Sequence, residues 1–274
     1  MADPTRSVDR TAWRANRLTP GERVIPEETA VAFTYNASSY AVMMATPIDL
    51  QDFAVGFSLT EGIVESAGEI ESFDILEQDI GIELRMRLAE PRGAAFSERR
   101  RYLAGPTGCG LCGIESLEEA MRTSRRIDDD VQLSPQDIMT ALGAIEAEQA
   151  INSQTRAVHG AAFFRPGQGL VALREDVGRH NALDKLVGAM ARAGVTGKGG
   201  FCIVTSRLSI EMIQKAAAIG IPVMVAVSAP TALAVRTAEA AGMTLIAVAR
   251  SDGFEIFTHP QRIKESRSLH VVAG

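Results

Sequence analysis

Hydrophobic and polar positions change their pattern twice along the chain. Residues 1–20 show no hydrophobic period and predict a mobile arm. Strand-like patterns dominate residues 21–130, and amphipathic helices alternate with short apolar runs in residues 131–274. We therefore predict an arm at 1–20, a smaller β-rich domain at 21–130 and an α/β domain at 131–274.

The β-rich part contains one especially clear strand. In residues 82–88, isoleucine, leucine and methionine alternate with Glu83, Arg85 and Arg87, as in a half-buried strand. Residues 29–35 and 39–46 predict two further strands, joined by the polar turn of residues 36–38. A helix is expected from Asp49 onward, where apolar side chains return at near-helical spacing.

The second half predicts a sheet with helices on both faces. Its first helix begins at Ser134-Pro135-Gln136-Asp137, which combines a capping serine, an early proline and an acidic third position. The predicted strands are the apolar runs at 170–173, 201–205, 222–227, 244–249 and 254–257. Buried apolar strands separated by amphipathic helices are typical of a three-layer α/β/α unit, so the fold class is α/β, or α+β overall.

Composition excludes several classes of protein. The 274 residues carry a formal net charge of -6 and are 46% hydrophobic, which disfavours bulk binding to nucleic acid or to an anionic membrane. No apolar run approaches the roughly 18 residues that a membrane helix needs, and the N-terminal residues do not resemble a signal peptide. Three cysteines are too few for a disulfide framework, so a reducing cytoplasm is expected.

Two of these cysteines form the pair Cys109-Gly110-Leu111-Cys112 in a glycine-rich loop. A cysteine that accepts and releases sulfur must be exposed, and its thiol must have a lowered pKa. The glycine-rich loop favours exposure, while neighbouring glycine N–H groups and three upstream arginines favour a lowered pKa. Zinc binding and thioredoxin-like redox chemistry are the alternatives for this pair. A zinc site usually needs four ligands, however, and a thioredoxin-like pair is expected in a βαβ context. The spacing favours redox or sulfur chemistry over metal. Cys202 lies in an apolar strand and is expected to be a core residue.

Polar residues gather at the predicted ends of strands in the second half. Glu175 to Asn181 form a dense polar turn, and His159 begins another apolar run. The turns at 205–209 and 228–231 combine hydroxyl groups with helix starts, which favour anions. Helix capping by Asp176 and a solvent-facing His180 are the simpler interpretation. No Walker loop or dinucleotide fingerprint is present.

Six stretches together resemble one family. They begin at Tyr40 (YAVMMATPIDLQDFAVGFSLTEGI), Gly105 (GPTGCGLCG), Glu175 (EDVGRHNALDKLVG), Ser206 (SRLSIEMIQKAA), Val227 (VSAPTALAV) and Phe257 (FTHPQR). In this order they resemble the FdhD family of formate dehydrogenase accessory sulfurtransferases, over nearly the whole chain.

The resemblance implies a persulfide-carrying sulfurtransferase. Sulfur would come from a cysteine desulfurase and pass to the molybdenum bis(molybdopterin guanine dinucleotide) cofactor, a client of the protein and not a permanent cofactor, for use by formate dehydrogenase. Cys109 resembles the persulfide-bearing residue and Cys112 its helper. The residues that resemble the cofactor-binding segment are Val248, Ala249, Arg250, Ser251, Asp252 and Gly253. A homodimer is also implied, and no resident metal.

Family members are similar in fold to cytidine deaminases, which implies a cytidine-deaminase-like C-terminal domain. Deaminases need a glutamate two residues after the first zinc ligand, and His159-Gly160-Ala161 lacks it. The competing hypotheses are a zinc-dependent nucleobase deaminase and a non-catalytic chaperone of the molybdenum cofactor.

Overall fold

The N-terminal residues form a hairpin. In the computed structural model, which describes residues 3–90, 93 and 124–264, β1 (Thr5–Arg14) pairs antiparallel with β2 (Arg17–Pro26). Both turn residues, Ala15 and Asn16, adopt positive φ, as a two-residue hairpin turn requires. Regular structure was not predicted in residues 1–20, because the strands are exposed on both faces and so carry no hydrophobic period. The hairpin also crosses the predicted domain boundary at residue 20.

A four-stranded sheet follows, in the order β4-β3-β6-β5. Its strands are β3 (Thr29–Tyr35), β4 (Ser38–Ala45), β5 (Ile70–Gln78) and β6 (Gly81–Leu88), and α1 (Leu50–Thr60) packs on one face. The predicted alternation at 82–88 is confirmed in β6, as are the first two strands and the turn between them. The sequence did not predict β5, since a register shift between Ile70 and Ser72 breaks its alternation.

The second sheet has six strands in the order β12-β11-β10-β9-β7-β8. β9, β10 and β11 run parallel, while β7 is antiparallel to β9 and β12 to β11. The strands are β7 (His159–Arg165), β8 (Gly169–Asp176), β9 (Phe201–Val204), β10 (Val223–Ala226), β11 (Thr244–Arg250) and β12 (Gly253–Ile256). The helices are α2 (Pro135–Glu148), α3 (Ala150–Thr155), α4 (Arg179–Arg192), α5 (Ile210–Ala218) and α6 (Ala232–Ala241).

Helices cover both faces of this sheet. α4, α5 and α6 share one apolar core with the strands, and α2 closes a second core on the opposite face. The predicted start of α2 is confirmed, because Ser134 and Asp137 form a reciprocal capping box. The mixed α/β class is thus confirmed, while the more specific cytidine-deaminase-like arrangement stays a prediction.

α1 and α4 cross at two glycines and so hold the two sheets together. A Cβ atom added to Gly56 would lie 1.7 Å from the carbonyl oxygen of Asp184, and one added to Gly188 would lie 1.8 Å from that of Asp52. No side chain fits at these positions. The helix backbones are therefore in direct contact at the crossing.

We expect Gly188→Ala to lower the free energy of unfolding by at least about 3 kcal/mol, because overpacking costs about 1–3 kcal/mol even where side chains can adjust, and here backbone must move. Urea unfolding measures the change. The matched control is Gly143→Ala in α2, where an added Cβ meets nothing within 4 Å. It should stabilise the protein by about 0.5–1 kcal/mol through helix propensity. Equal effects of the two substitutions would contradict a close crossing.

Candidate functional site

The third cysteine is unsuited to sulfur transfer. Cys202 lies in β9 with its side chain fully buried, and burial raises the pKa of its thiol to about 12. Cys202 is thereby confirmed as a core residue. Cys109 and Cys112 lie outside the described residues. Because the chain has three cysteines, Cys109 and Cys112 stay the predicted residues for thiolate chemistry.

The polar segments singled out in the sequence meet at one edge of the six-stranded sheet. β9, β10 and β11 end there, and so does β8, while the antiparallel β7 begins there with His159. Register places His159 opposite Asp176. The segments brought together are 175–181, 205–209, 228–231 and 248–253. Ligands of open α/β sheets bind at this kind of edge.

The two acidic residues of the polar turn have structural roles. The carboxylate of Glu175 accepts hydrogen bonds from the Ile151 and Asn152 N–H groups at the start of α3 (2.9 and 2.8 Å). Asp176 is fully buried and lies 2.7 Å from the Lys185 ammonium group, while it also accepts from the Thr46 and Gly178 N–H groups. The N-cap of α4 is Gly178, with no side-chain cap. The expected capping role of Asp176 is therefore replaced by a buried ion pair.

Several polar atoms at this edge have no partner. Among the described residues, the Arg179 Nε, His180 Nε2, Ser209 Oγ and Glu211 Oε2 atoms are buried without a hydrogen bond. Arg179 and His180 begin α4, while Ser209 and Glu211 begin the neighbouring α5. Unsatisfied buried groups of this kind are typical of a site that binds water or a ligand. The partly buried His180 does not simply face solvent, as the simpler interpretation held.

The two histidines at this edge favour the neutral form. Burial, followed by the neighbouring Arg179 and Lys215 charges, lowers the pKa of His180 to about 4. Burial, followed by the charge of Arg179, also lowers the pKa of His159. At neutral pH each imidazole therefore offers one donor and one acceptor nitrogen, beside the permanent positive charge of Arg179.

The predicted cofactor-binding segment occupies the turn from β11 into β12. Val248 adopts a positive φ of 52° at a bulge in this pairing, and its N–H donates to the Ser228 carbonyl oxygen (3.3 Å). Ala249 is buried in the core on the α2 side, whereas Arg250, Ser251 and Asp252 are exposed. The segment lies beside the 228–231 turn. A ligand could therefore contact the side chains of Arg250, Ser251 and Asp252, but not that of Ala249.

A buried charge cluster lies behind this edge. The Lys215 ammonium group donates to Asp184, Glu61 and Thr60 at 2.7–3.1 Å. Burial lowers the pKa of Lys215, but the two carboxylates outweigh burial and raise it, so the ammonium group stays charged. Sequence reasoning missed this cluster, as it missed Glu211. The available signal was a set of charged residues within the apolar stretches of α4 and α5.

Within the ranges that the structure describes, the helices are all too short or too polar to traverse a lipid bilayer.

Comparison with known proteins gives consistent matches along nearly the entire chain. The model of the FdhD/NarQ family matches residues 26–264. Sulfur carrier protein FdhD of Agrobacterium fabrum is 52% identical over 259 residues, which cover 94% of this chain and 96% of that protein. The protein of the same name from Brucella abortus is 51% identical over 263 residues, with coverages of 96% and 98%.

A solved structure shows the same fold. A Desulfotalea psychrophila protein, described as a candidate formate dehydrogenase accessory protein, superimposes with a TM-score of 0.74 at 24% identity. The match covers 96% of this chain and all of that one.

The lowered pKa of His180 predicts a pH dependence of stability. An unfolded histidine titrates near 6.5 and the folded His180 near 4, so between these values the unfolded chain binds a proton that the folded chain does not. Stability should therefore fall as the pH drops from 6.5 to 4. Urea unfolding at several pH values should show a smaller fall for His180→Gln. An imidazole signal of His180 that titrates at pH 6.5 in NMR spectra would contradict the buried neutral form.

Proposed function

Because this chain belongs to the FdhD/NarQ family, we propose that it is a sulfur carrier that serves the maturation of formate dehydrogenase. This proposal rests on the observation that proteins named sulfur carrier protein FdhD are about half identical to this chain over more than nine tenths of its length. The burial of Cys202 supports the same conclusion, since it leaves the Cys109 and Cys112 pair for the chemistry. The predicted cytoplasmic location suits a free thiol.

The transfer to the carrier is a thiolate exchange. The Cys109 thiolate attacks the outer sulfur of a persulfide on a cysteine desulfurase, and a new sulfur–sulfur bond forms as the bond in the donor breaks. The donor cysteine leaves as a thiolate, so no external oxidant or reductant is needed. Cys112 lies three positions further along the chain and assists by stabilising or sharing the persulfide.

The acceptor is the molybdenum bis(molybdopterin guanine dinucleotide) cofactor, bound as a client. Its diphosphate groups suit the sheet edge, where Arg179 supplies a charge and the first turns of α4 and α5 supply N–H groups. The neutral His180 and the Ser209 hydroxyl add uncharged partners. Glu211 does not suit a phosphate, but its carboxylate would accept hydrogen bonds from a guanine base.

The segment from Val248 to Gly253 contributes mainly backbone groups to this site. Ala249 faces the core, and the carboxylate of Asp252 would repel a phosphate, whereas Arg250 is exposed and attracts one. Val248 holds the segment against the 228–231 turn. Formate dehydrogenase receives the loaded cofactor, and a homodimer is the expected assembly.

Loss of the Cys109 thiol should abolish persulfide formation. Intact mass spectrometry after incubation with a cysteine desulfurase and cysteine should show one added sulfur atom on the wild-type protein and none on Cys109→Ala. Cys202→Ala is the matched control and should load as the wild type does, because the Cys202 thiol is buried. A Cys109→Ala variant that still activates formate dehydrogenase in cells would favour the chaperone hypothesis instead.

Charge removal at the sheet edge should weaken nucleotide binding. Guanosine diphosphate, the nucleotide portion of the proposed client, should bind Arg179→Ala at least about tenfold more weakly than the wild type, since a charge-assisted contact is worth about 1.5–3 kcal/mol. Isothermal titration calorimetry measures the difference. Arg165→Ala is the control at the other end of β7 and should bind normally. Equal affinities of both variants would remove Arg179 from the proposed site.

A further inference from the structure

The strand β4 forms an edge of the four-stranded sheet and lacks the usual protection of an edge. Within the described residues it pairs with β3 alone, so its other side is turned away from the sheet. Residues Ser38–Ala45 include no charged residue and no proline. Their register with β3 shifts once, between Phe33 and Thr34, and is regular from Ala41 to Ala45. Such an edge pairs readily with another extended chain.

Charged residues protect the other edge strands of the two larger sheets. β5, at the opposite edge of the same sheet, carries three carboxylates. In the six-stranded sheet, β8 carries three charged residues at its end and β12 carries Glu255. Charges on an edge strand oppose the addition of a further strand. The uncharged composition of β4 therefore indicates that its edge is used for pairing.

The side chains at this edge add apolar contacts. Val42 and Met44 are 49% and 50% exposed. Their register partners in β3 are Ala32 and Ala30, which places all four residues on the sheet face turned away from α1. An added strand would therefore meet backbone groups along β4 and an apolar surface on this face.

The end of β4 is tied to the proposed cofactor site. The Met44 carbonyl oxygen accepts a hydrogen bond from the Asn181 side-chain amide (2.8 Å), and the Thr46 N–H group donates to Asp176 (3.0 Å). Asn181 directly follows His180 in the first turn of α4. A chain that pairs with β4 would therefore lie beside the sheet edge at which the cofactor is proposed to bind.

We propose that the β4 edge is the docking site for formate dehydrogenase, which adds an extended, uncharged segment of its own chain to the four-stranded sheet. This inference rests on the proposed function, in which that enzyme receives the cofactor. The recipient must approach the cofactor at the sheet edge beside β4, whereas the sulfur donor must reach Cys109. Main-chain hydrogen bonds provide the affinity, and Val42 and Met44 favour a segment with apolar side chains.

Two lysines on β4 should block this docking. V42K/M44K places charges at two exposed positions, as protected edge strands do, and circular dichroism should show a folded protein. Biolayer interferometry should show that cofactor-free formate dehydrogenase binds this variant at least about tenfold more weakly than the wild type. The matched control is L18K/I80K, which also adds two positive charges at exposed apolar positions (68% and 88%). It should bind as the wild type does.

Hydrogen exchange tests the strand pairing without any substitution. In the complex of the wild-type protein with cofactor-free formate dehydrogenase, amide groups of residues 38–45 should exchange at least about tenfold more slowly than in the free protein. The amide groups of β5 should keep their rates. Mass spectrometry of peptides from both strands measures the difference.

Normal binding by V42K/M44K, or unchanged exchange of β4 in the complex, would overturn the docking site and leave the proposed function intact. Slower exchange of β4 at high concentration of this protein alone would assign the edge to a second copy and also overturn it. So would V42K/M44K that no longer accepts sulfur from a cysteine desulfurase, since the donor would then use this edge. A wild-type protein that neither binds nor activates formate dehydrogenase would instead refute the proposed function, and the docking site with it.

Discussion

The direct contact of two helix backbones at Gly56 and Gly188 is the constraint on which the arrangement of this protein depends. Each glycine faces a carbonyl oxygen of the opposite helix, so the two axes approach more closely than side chains would permit. One of these helices belongs to the four-stranded sheet and the other to the six-stranded sheet. Close approach at one point fixes the distance between the two sheets, and the polar contacts around it fix their orientation.

Those polar contacts are charged and largely buried. Asp52 of α1 pairs with Arg174 (2.7 Å) and with Arg192, while Lys185 reaches both Asp176 and the Thr46 carbonyl oxygen. Burial of charge is costly unless each group is paired, so such contacts select one arrangement more than they add stability. The selected arrangement holds the first turn of α4 against the β4–α1 connection. Arg179 and His180 are thereby kept in place at the sheet edge.

Local patterns predicted much of the fold and only part of the site. The sequence predicts the alternation of β6, the capping box at Ser134 and the apolar strands of the six-stranded sheet. Each of these features depends on residues that are close together in the sequence. The exposed strands of the hairpin and the shifted register of β5 were not, since neither produces a simple hydrophobic period. The roles of Glu175 and Asp176 depend on partners from α3 and from the connection between β4 and α1, which no local pattern shows. The position of Glu211 beside His180 depends likewise on the packing of two helices.

The crossing of α1 and α4 has a consequence for the newly made chain. Asp52 leaves the ribosome long before Arg174 and Arg192, which follow it by 122 and 140 positions. Until then α1 presents an unpaired carboxylate and bare glycine backbone on a surface that is later enclosed. The amino-terminal half therefore stays incompletely folded until the second half has been synthesised. During this time its exposed surface makes it prone to aggregation with other chains.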